Sequence, residues 1–327
     1  MNLNNLEDRI DEAKNLGFSP KTIAQIEENI KLGVPEFKAY DSMPATAKGQ
    51  IDFTLHYKKS SQSDFYYFNK FDAVHNKVDP LEIGQKYMLI LKGEDDKNIV
   101  KKLDNVNEAI ELFKKQEGNA ELAIGKDPAH KSMVANMENG KINFVAKTFQ
   151  SAYYANPIPQ TFYVEEGKGF NKEQAGNLVQ GRAVYRDDLL NIQGMVYKAW
   201  VMLNTDKPRD RYNNLTTRIF HDPSYGFDLK ESLKSFNIKD LENPERAEKI
   251  FTGIMNGNRE LVKAEKANGE TVNVYVEASV RFRKANFFLE NGKPEKREEF
   301  LKPGVKAEQQ SKVSRENKQE RAAGIAR

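Results

Sequence analysis

The chain has 327 residues, with 51 Lys and Arg against 48 Asp and Glu, a formal charge of +3 and no cysteine. Hydrophobic residues make up 39%, which is enough to build real cores and excludes global disorder. Without thiols, disulfides, thiolate metal centres and cysteine nucleophiles are excluded, and the length predicts two or three packed units.

Leu3, Leu6, Ile10, Ala13 and Leu16 recur at helical spacing up to Gly17. Ser19-Pro20 then reads as a cap and a first-turn proline for a second helix carrying Ile23, Ile26 and Ile30, closed by Gly33. Ile51, Phe53, Leu55 and Tyr57 alternate with Asp52, Thr54 and His56, which predicts a half-buried strand, with 65–71 as its antiparallel partner. Strands are expected at 87–92, 99–103 and 120–124, with a helix from the cap Asn105 between the last two. Asp95 and Asp96 fall in a turn, and Asn139-Gly140 is a hairpin signal before a strand at 141–149.

Asn156-Pro157-Ile158-Pro159 reads as an extended linker. Beyond it come a strand at 160–164, a helix capped by Asn171 and closed by Gly181, and strands at 182–185 and 197–203. Helices near 229–236 and 244–256 precede strands at 261–267 and 271–276, which flank Asn268-Gly269 as a type I′ hairpin. A strand over 279–289 extends the meander. Past Asn291-Gly292 periodicity stops and charge dominates: 292–327 carries ten Lys/Arg and six Glu.

The fold class expected is α+β: an N-terminal helical hairpin, small antiparallel sheets with packed helices, a C-terminal β-meander and a disordered basic tail. The boundaries expected are 1–77 (helical hairpin plus β-hairpin), 78–156 (a small α+β module), 157–292 (a larger α+β domain) and 293–327 (the tail). The opening segment lacks a basic region followed by an apolar one, so no secretory signal is expected. The longest apolar stretch, Tyr87 to Leu91, is far short of the roughly 20 residues of a membrane helix. A cytoplasmic protein without membrane contact is the expectation.

Catalytic signatures are sparse. His56, His75, His130 and His221 stand apart, in no metal-ligand pattern. His221-Asp222 could form an acid–base pair, although its place before Pro223 reads as turn chemistry. The glycines of Glu166-Gly167-Lys168-Gly169 match neither phosphate-binding fingerprint and read as a tight turn. Asp95-Asp96 and Asp187-Asp188 are paired carboxylates beside turns. No cofactor or catalytic residue is indicated, and a binding protein is favoured over an enzyme.

The residues best suited to binding are basic and aromatic. Arg182, Tyr185, Arg186, Lys198 and Trp200 fall on two expected strands, and Arg281, Phe282, Arg283 and Lys284 on a third. Arg209, Arg211 and Arg218 would extend such a face. Guanidinium groups pair with phosphates and rings stack on bases, so this composition suits DNA or RNA. The plainer reading is a two-faced strand, with Phe282 in the core and Arg281 and Arg283 in water.

Four strings occur in order: Gly181-Arg182-Ala183-Val184-Tyr185, Tyr197 to Val201, Tyr225 to Leu229, and Val272 to Ser279. Together with 15–37, 61–69 and 160–184, they resemble an uncharacterised domain-of-unknown-function family typical of Bacteroidota conjugative elements and plasmids. The resemblance is most specific over 160–289 and weakest over 78–150. It implies a cytosolic protein encoded near genes for DNA transfer and processing, and it carries no catalytic residue set. The function expected is a non-enzymatic binding accessory of a mobile genetic element, contacting nucleic acid. The alternatives are a protein–protein scaffold or counter-defence inhibitor with a host or element-encoded partner, and a metal-dependent phosphoester enzyme using scattered Asp and Glu.

Overall fold

A computed structural model of the chain describes residues 4–46, 49–93, 97–155, 157–164 and 169–305. Its class is α+β. Among the described residues there are seven α-helices and four antiparallel sheets, divided between two compact units. The first unit comprises 1–180 with 206–216, and the second 181–205 with 217–327.

The first unit opens with α1 (Asn4–Asn15) and α2 (Pro20–Lys31). Gly17, at φ 84°, makes the turn between them, and the Ser19 side chain accepts from the Thr22 N–H as a cap. The turn delivers Phe18 onto a sheet of β1 (Glu36–Pro44), β2 (Gln50–Lys59), β3 (Tyr66–Asn76) and β9 (Gln160–Tyr163), in that order. The Phe18 ring lies 5.3 Å from Phe71 and 6.1 Å from Phe53, both edge-on, the arrangement aromatic quadrupoles favour. Helix α5 (Lys172–Val179) rests on the same sheet through Gly176. A Cβ there would come within 2.8 Å of Met43 Sδ, so a larger residue would have to push the Met43 side chain aside.

The intervening chain forms a second sheet in the order β5-β4-β6-β7-β8. Its strands are β4 (Lys86–Lys92), β5 (Asn98–Leu103), β6 (Ala120–Asp127), β7 (His130–Glu138) and β8 (Lys141–Val145). Tyr87, Leu89 and Leu122 pack in one core with Ala109, Ile110 and Phe113 of α3 (Val106–Lys114), and α4 (Gln150–Tyr154) adds Ala152 and Tyr153. Asn105 caps α3 by accepting from the N–H groups of Asn107 and Glu108. Replacing Asn105 by alanine is expected to lower the stability of this unit by about 1 kcal/mol, read from the midpoint of urea unfolding.

The second unit has a sheet of β10 (Val184–Leu190), β11 (Val196–Leu203) and β12 (Thr217–Asp222). It also has a meander of β13 (Glu260–Glu265), β14 (Thr271–Ser279), β15 (Lys284–Leu289) and β16 (Pro294–Glu295). Helices α6 (Leu229–Lys234) and α7 (Pro244–Met255) are capped by Asp228 and Asn243. Trp200, Phe227, Leu233, Ile250, Val276 and Phe287 share one core.

Several expectations need correction. The strand at 160–163 pairs with β3, and α5 packs on that same sheet, so the units divide after Gln180 and not at 157. The module expected at 78–156 belongs to the first unit, where Lys21 of α2 and Lys86 of β4 both close on Asp104. Strands β1, β7 and β12 were not anticipated, and β12 takes in His221-Asp222, which the sequence placed in a turn. In the hairpin at Asn268-Gly269 only the glycine has positive φ, and the Gly269 N–H donates to Lys266 O. That is a type I turn closed by a left-handed glycine rather than type I′. Asn139 and Gly140, at φ 50° and 71°, do adopt the primed turn. Asp52 is not on a solvated face: it is 1% exposed.

The tail, too, starts later than expected. Phe300 is fully buried, stacked on Phe287 with ring centroids 4.9 Å apart, and Leu301 bridges to Phe236. Residues 306–327, which hold most of the expected tail, lie outside the described residues, as do Asp95, Asp96 and the 165–168 segment.

Candidate nucleic-acid interface

Strand β14 ends at Ser279 and the chain makes a single 3-10 turn, Val280–Phe282, before β15 begins. Val280 is 2% exposed and anchors the turn in the core. Arg283 closes it at φ 50°, ψ 46°, with its N–H donating to Val280 O at 2.9 Å. A left-handed arginine is uncommon, because its Cβ crowds the backbone, and it persists only where surrounding contacts hold it.

Those contacts come from Tyr225, in the loop after β12. Its hydroxyl donates to Arg281 O at 3.0 Å, its ring lies 4.6 Å from Phe220, and the Arg283 guanidinium sits 4.6 Å from its ring centroid. The turn is thus clamped at both ends. It presents Phe282 outward at 65% exposure, with the Arg281 guanidinium 5.8 Å and Lys284 Nζ 5.3 Å from the ring centroid. Cation–π contacts this exposed contribute about 0.5–1 kcal/mol each, enough to bias rotamers while leaving the cations reachable.

Beside the turn runs an open cleft of about 360 Å³, lined by Lys284, Asn286, Phe288, Lys296, Arg297 and Glu298 among others. Burial, and then the neighbouring Arg297 charge, hold the Lys284 ammonium below its usual pKa. Arg297 Nε donates to Glu298 Oε1 at 3.1 Å, and Glu295 also lines the cleft, so Lys284, Lys296 and Arg297 face two carboxylates there.

The other expected site residues separate. Arg182 is 9% exposed; burial first, and then Arg259, lower its pKa to about 10, with Glu277 opposing. Trp200 is 3% exposed, edge-on to both Tyr185 and Phe227. Neither can reach a ligand: Trp200 faces the core from β11, and Arg182 is buried in the irregular chain just before β10, not in the strand expected there. Tyr185 donates to Asp222 Oδ2 at 2.7 Å, so it is engaged within the sheet. Lys198 is exposed opposite Asp222, and Arg218 donates to Asn204 Oδ1. Arg209 and Arg211 belong to the first unit, where Arg209 donates to Asn213 O and Arg211 lies over the Tyr212 ring.

Arg281 and Phe282 are in the turn, not in a strand, so they do not alternate in and out, and Phe282 faces water rather than the core. Tyr225, Lys296 and Arg297 were missed as site residues, since only folding brings three separate segments together.

His221 and Asp222 do not form an acid–base pair. Neighbours in a strand point to opposite faces; Asp222 accepts from Tyr185, while the His221 ring lies 5.0 Å from Tyr197. Asp188 is chelated by Arg186 Nε and Nη2, both at 2.7 Å. One polar cluster escaped sequence reading: Asp72 accepts from Thr161 Oγ1 and bonds His56 Nε2, each at 2.7 Å. Among the described residues no three His, Asp or Glu converge as a metal site, and no helix is long and apolar enough to cross a membrane. No protein-family model, curated protein or solved structure matches the chain.

Proposed function

We propose that this protein is a non-enzymatic binding accessory of a mobile genetic element, and that its second unit contacts nucleic acid through the turn at 280–284 and the adjoining cleft. The observation that carries this is the clamped turn: Arg281, Arg283 and Lys284 ring two aromatic faces, Phe282 outward and Tyr225 beneath. In the cleft Lys284, Lys296 and Arg297 outnumber Glu295 and Glu298, and Arg297 is itself paired with Glu298. Guanidinium and ammonium groups attract phosphates at long range, and the rings add contact that does not depend on salt. The mobile-element setting rests on the resemblance of the strings over 160–289.

The test is binding of the full chain to fluorescent oligonucleotides, followed by anisotropy across a salt series. Three or four phosphate contacts predict a log–log slope of about −2 to −3, hence a loss of about 30-fold between roughly 50 and 200 mM salt. Arg283→Gly removes one guanidinium while suiting the left-handed backbone, so it should keep the fold and make the slope shallower by about 0.7. Absence of binding at low ionic strength rejects the reading.

A further inference from the structure

Resting on that reading, we infer that the preferred ligand is single-stranded, with one unpaired base stacked on the outer face of Phe282 and its flanking phosphate held in the cleft by Lys284 and Arg297. Phe282 is the one large aromatic exposed in the second unit among the described residues. Its exposure is not that of a loose loop. The backbone is pinned by the buried Val280, by the Arg283 N–H to Val280 O bond and by the Tyr225 hydroxyl on Arg281 O. A ring carried on a pinned backbone and 65% exposed loses little entropy when a base covers it.

Duplex nucleic acid offers no such face, since its bases are stacked on each other and only their edges reach the grooves. A single strand offers a π-face at every nucleotide, and stacking on an aromatic side chain tolerates any base. The cations fit the same geometry. The Arg281 guanidinium and the Lys284 ammonium sit over the ring, 5.8 and 5.3 Å from its centroid, within reach of the phosphates that flank a stacked base. From there Lys284 leads into a cleft whose volume, about 360 Å³, falls within the roughly 300–1,000 Å³ of small-ligand sites. Such a space admits one phosphate and its sugar. Asn286 and Phe288 line the same cleft.

The experiment compares four probes of about 12 units on the full chain: single-stranded DNA, single-stranded RNA, a DNA duplex, and an abasic strand with the same backbone. Single strands of DNA or RNA should bind about tenfold tighter than both the duplex and the abasic strand. Phe282→Ala should remove that tenfold advantage while leaving the abasic affinity unchanged, and Phe282→Trp should preserve it. The ring is exposed, so neither substitution disturbs the core; fluorescence of the buried Trp200 checks this in Phe282→Ala, and a far-ultraviolet circular dichroism melt checks it in Phe282→Trp. Equal affinity for single strand and duplex, or indifference to Phe282→Ala, overturns the single-strand inference while salt-dependent binding still upholds the broader reading. If no probe binds, both fall. Preference between the DNA and RNA strands identifies the source.

Discussion

Replacing Phe300 by alanine is expected to destabilise the second unit by about 4 kcal/mol, although the residue lies in a segment that reads as a solvated tail. The Phe300 ring is completely buried and stacks on Phe287, which in turn packs against Phe236 at 4.8 Å. Backbone bonds hold the segment in place: the Asn237 N–H donates to Phe300 O, and the Lys302 N–H donates to Ser235 O. Removing the ring therefore leaves a cavity between β15, α6 and the segment, and rigid surroundings fill it only in part. Trp200 is the only tryptophan of the chain and lies in this core, so its fluorescence in a denaturant titration reads this unit alone. Phe282→Ala should barely move the midpoint. A Phe300→Ala protein that unfolds at the native midpoint would contradict the packing described.

Raising the pH from about 5 to about 8 is expected to cost the first unit about 2 kcal/mol, through Asp52. Burial pushes its carboxyl from 3.8 up to about 7, against the opposing hydrogen bonds from Asn76 and Gln50. Gln50 Nε2 donates to Oδ1 at 2.7 Å and Asn76 Nδ2 donates to Oδ2. Because the folded value lies above the unfolded one, the contribution is complete below about pH 4 and is lost as pH rises through 7. Asp72 and Asp104 act oppositely. Burial alone would raise both, but hydrogen bonds and cations outweigh it and hold them below the usual carboxylate range, so they stabilise at neutral pH and fail in acid. Stability should therefore peak in mildly acidic solution.

Asp52→Asn should remove the alkaline decline and leave the variant more stable than the native chain at about pH 8. Asn76 Oδ1 is buried with no hydrogen-bond partner among the described residues, and a rotated Asn76 amide gives the new side chain an acceptor. Thermal melts followed by far-ultraviolet circular dichroism at several pH values measure both effects. Parallel pH dependence in the native chain and Asp52→Asn would rule out Asp52 as the source.

The sequence by itself determined the α+β class and most elements, because caps and periodicity are local physics. Ser19-Pro20, Asn105 and Asn171 each satisfy a helix N-terminus in the way their side chains dictate, and Asn139-Gly140 makes its turn from residues that tolerate positive φ. The tertiary structure alone decided what depends on burial between distant segments. Asp52 has a polar residue's place in an alternating strand, yet it is buried. Phe282 sits in an apparent strand, yet a single turn swings it into water. Phe300 lies in a charged stretch, yet it completes a core. The candidate site follows the same rule. Tyr225, Arg283 and Arg297 come from three stretches, and no spacing along the chain encodes a contact that only the packing of β12, β15 and the terminal segment creates.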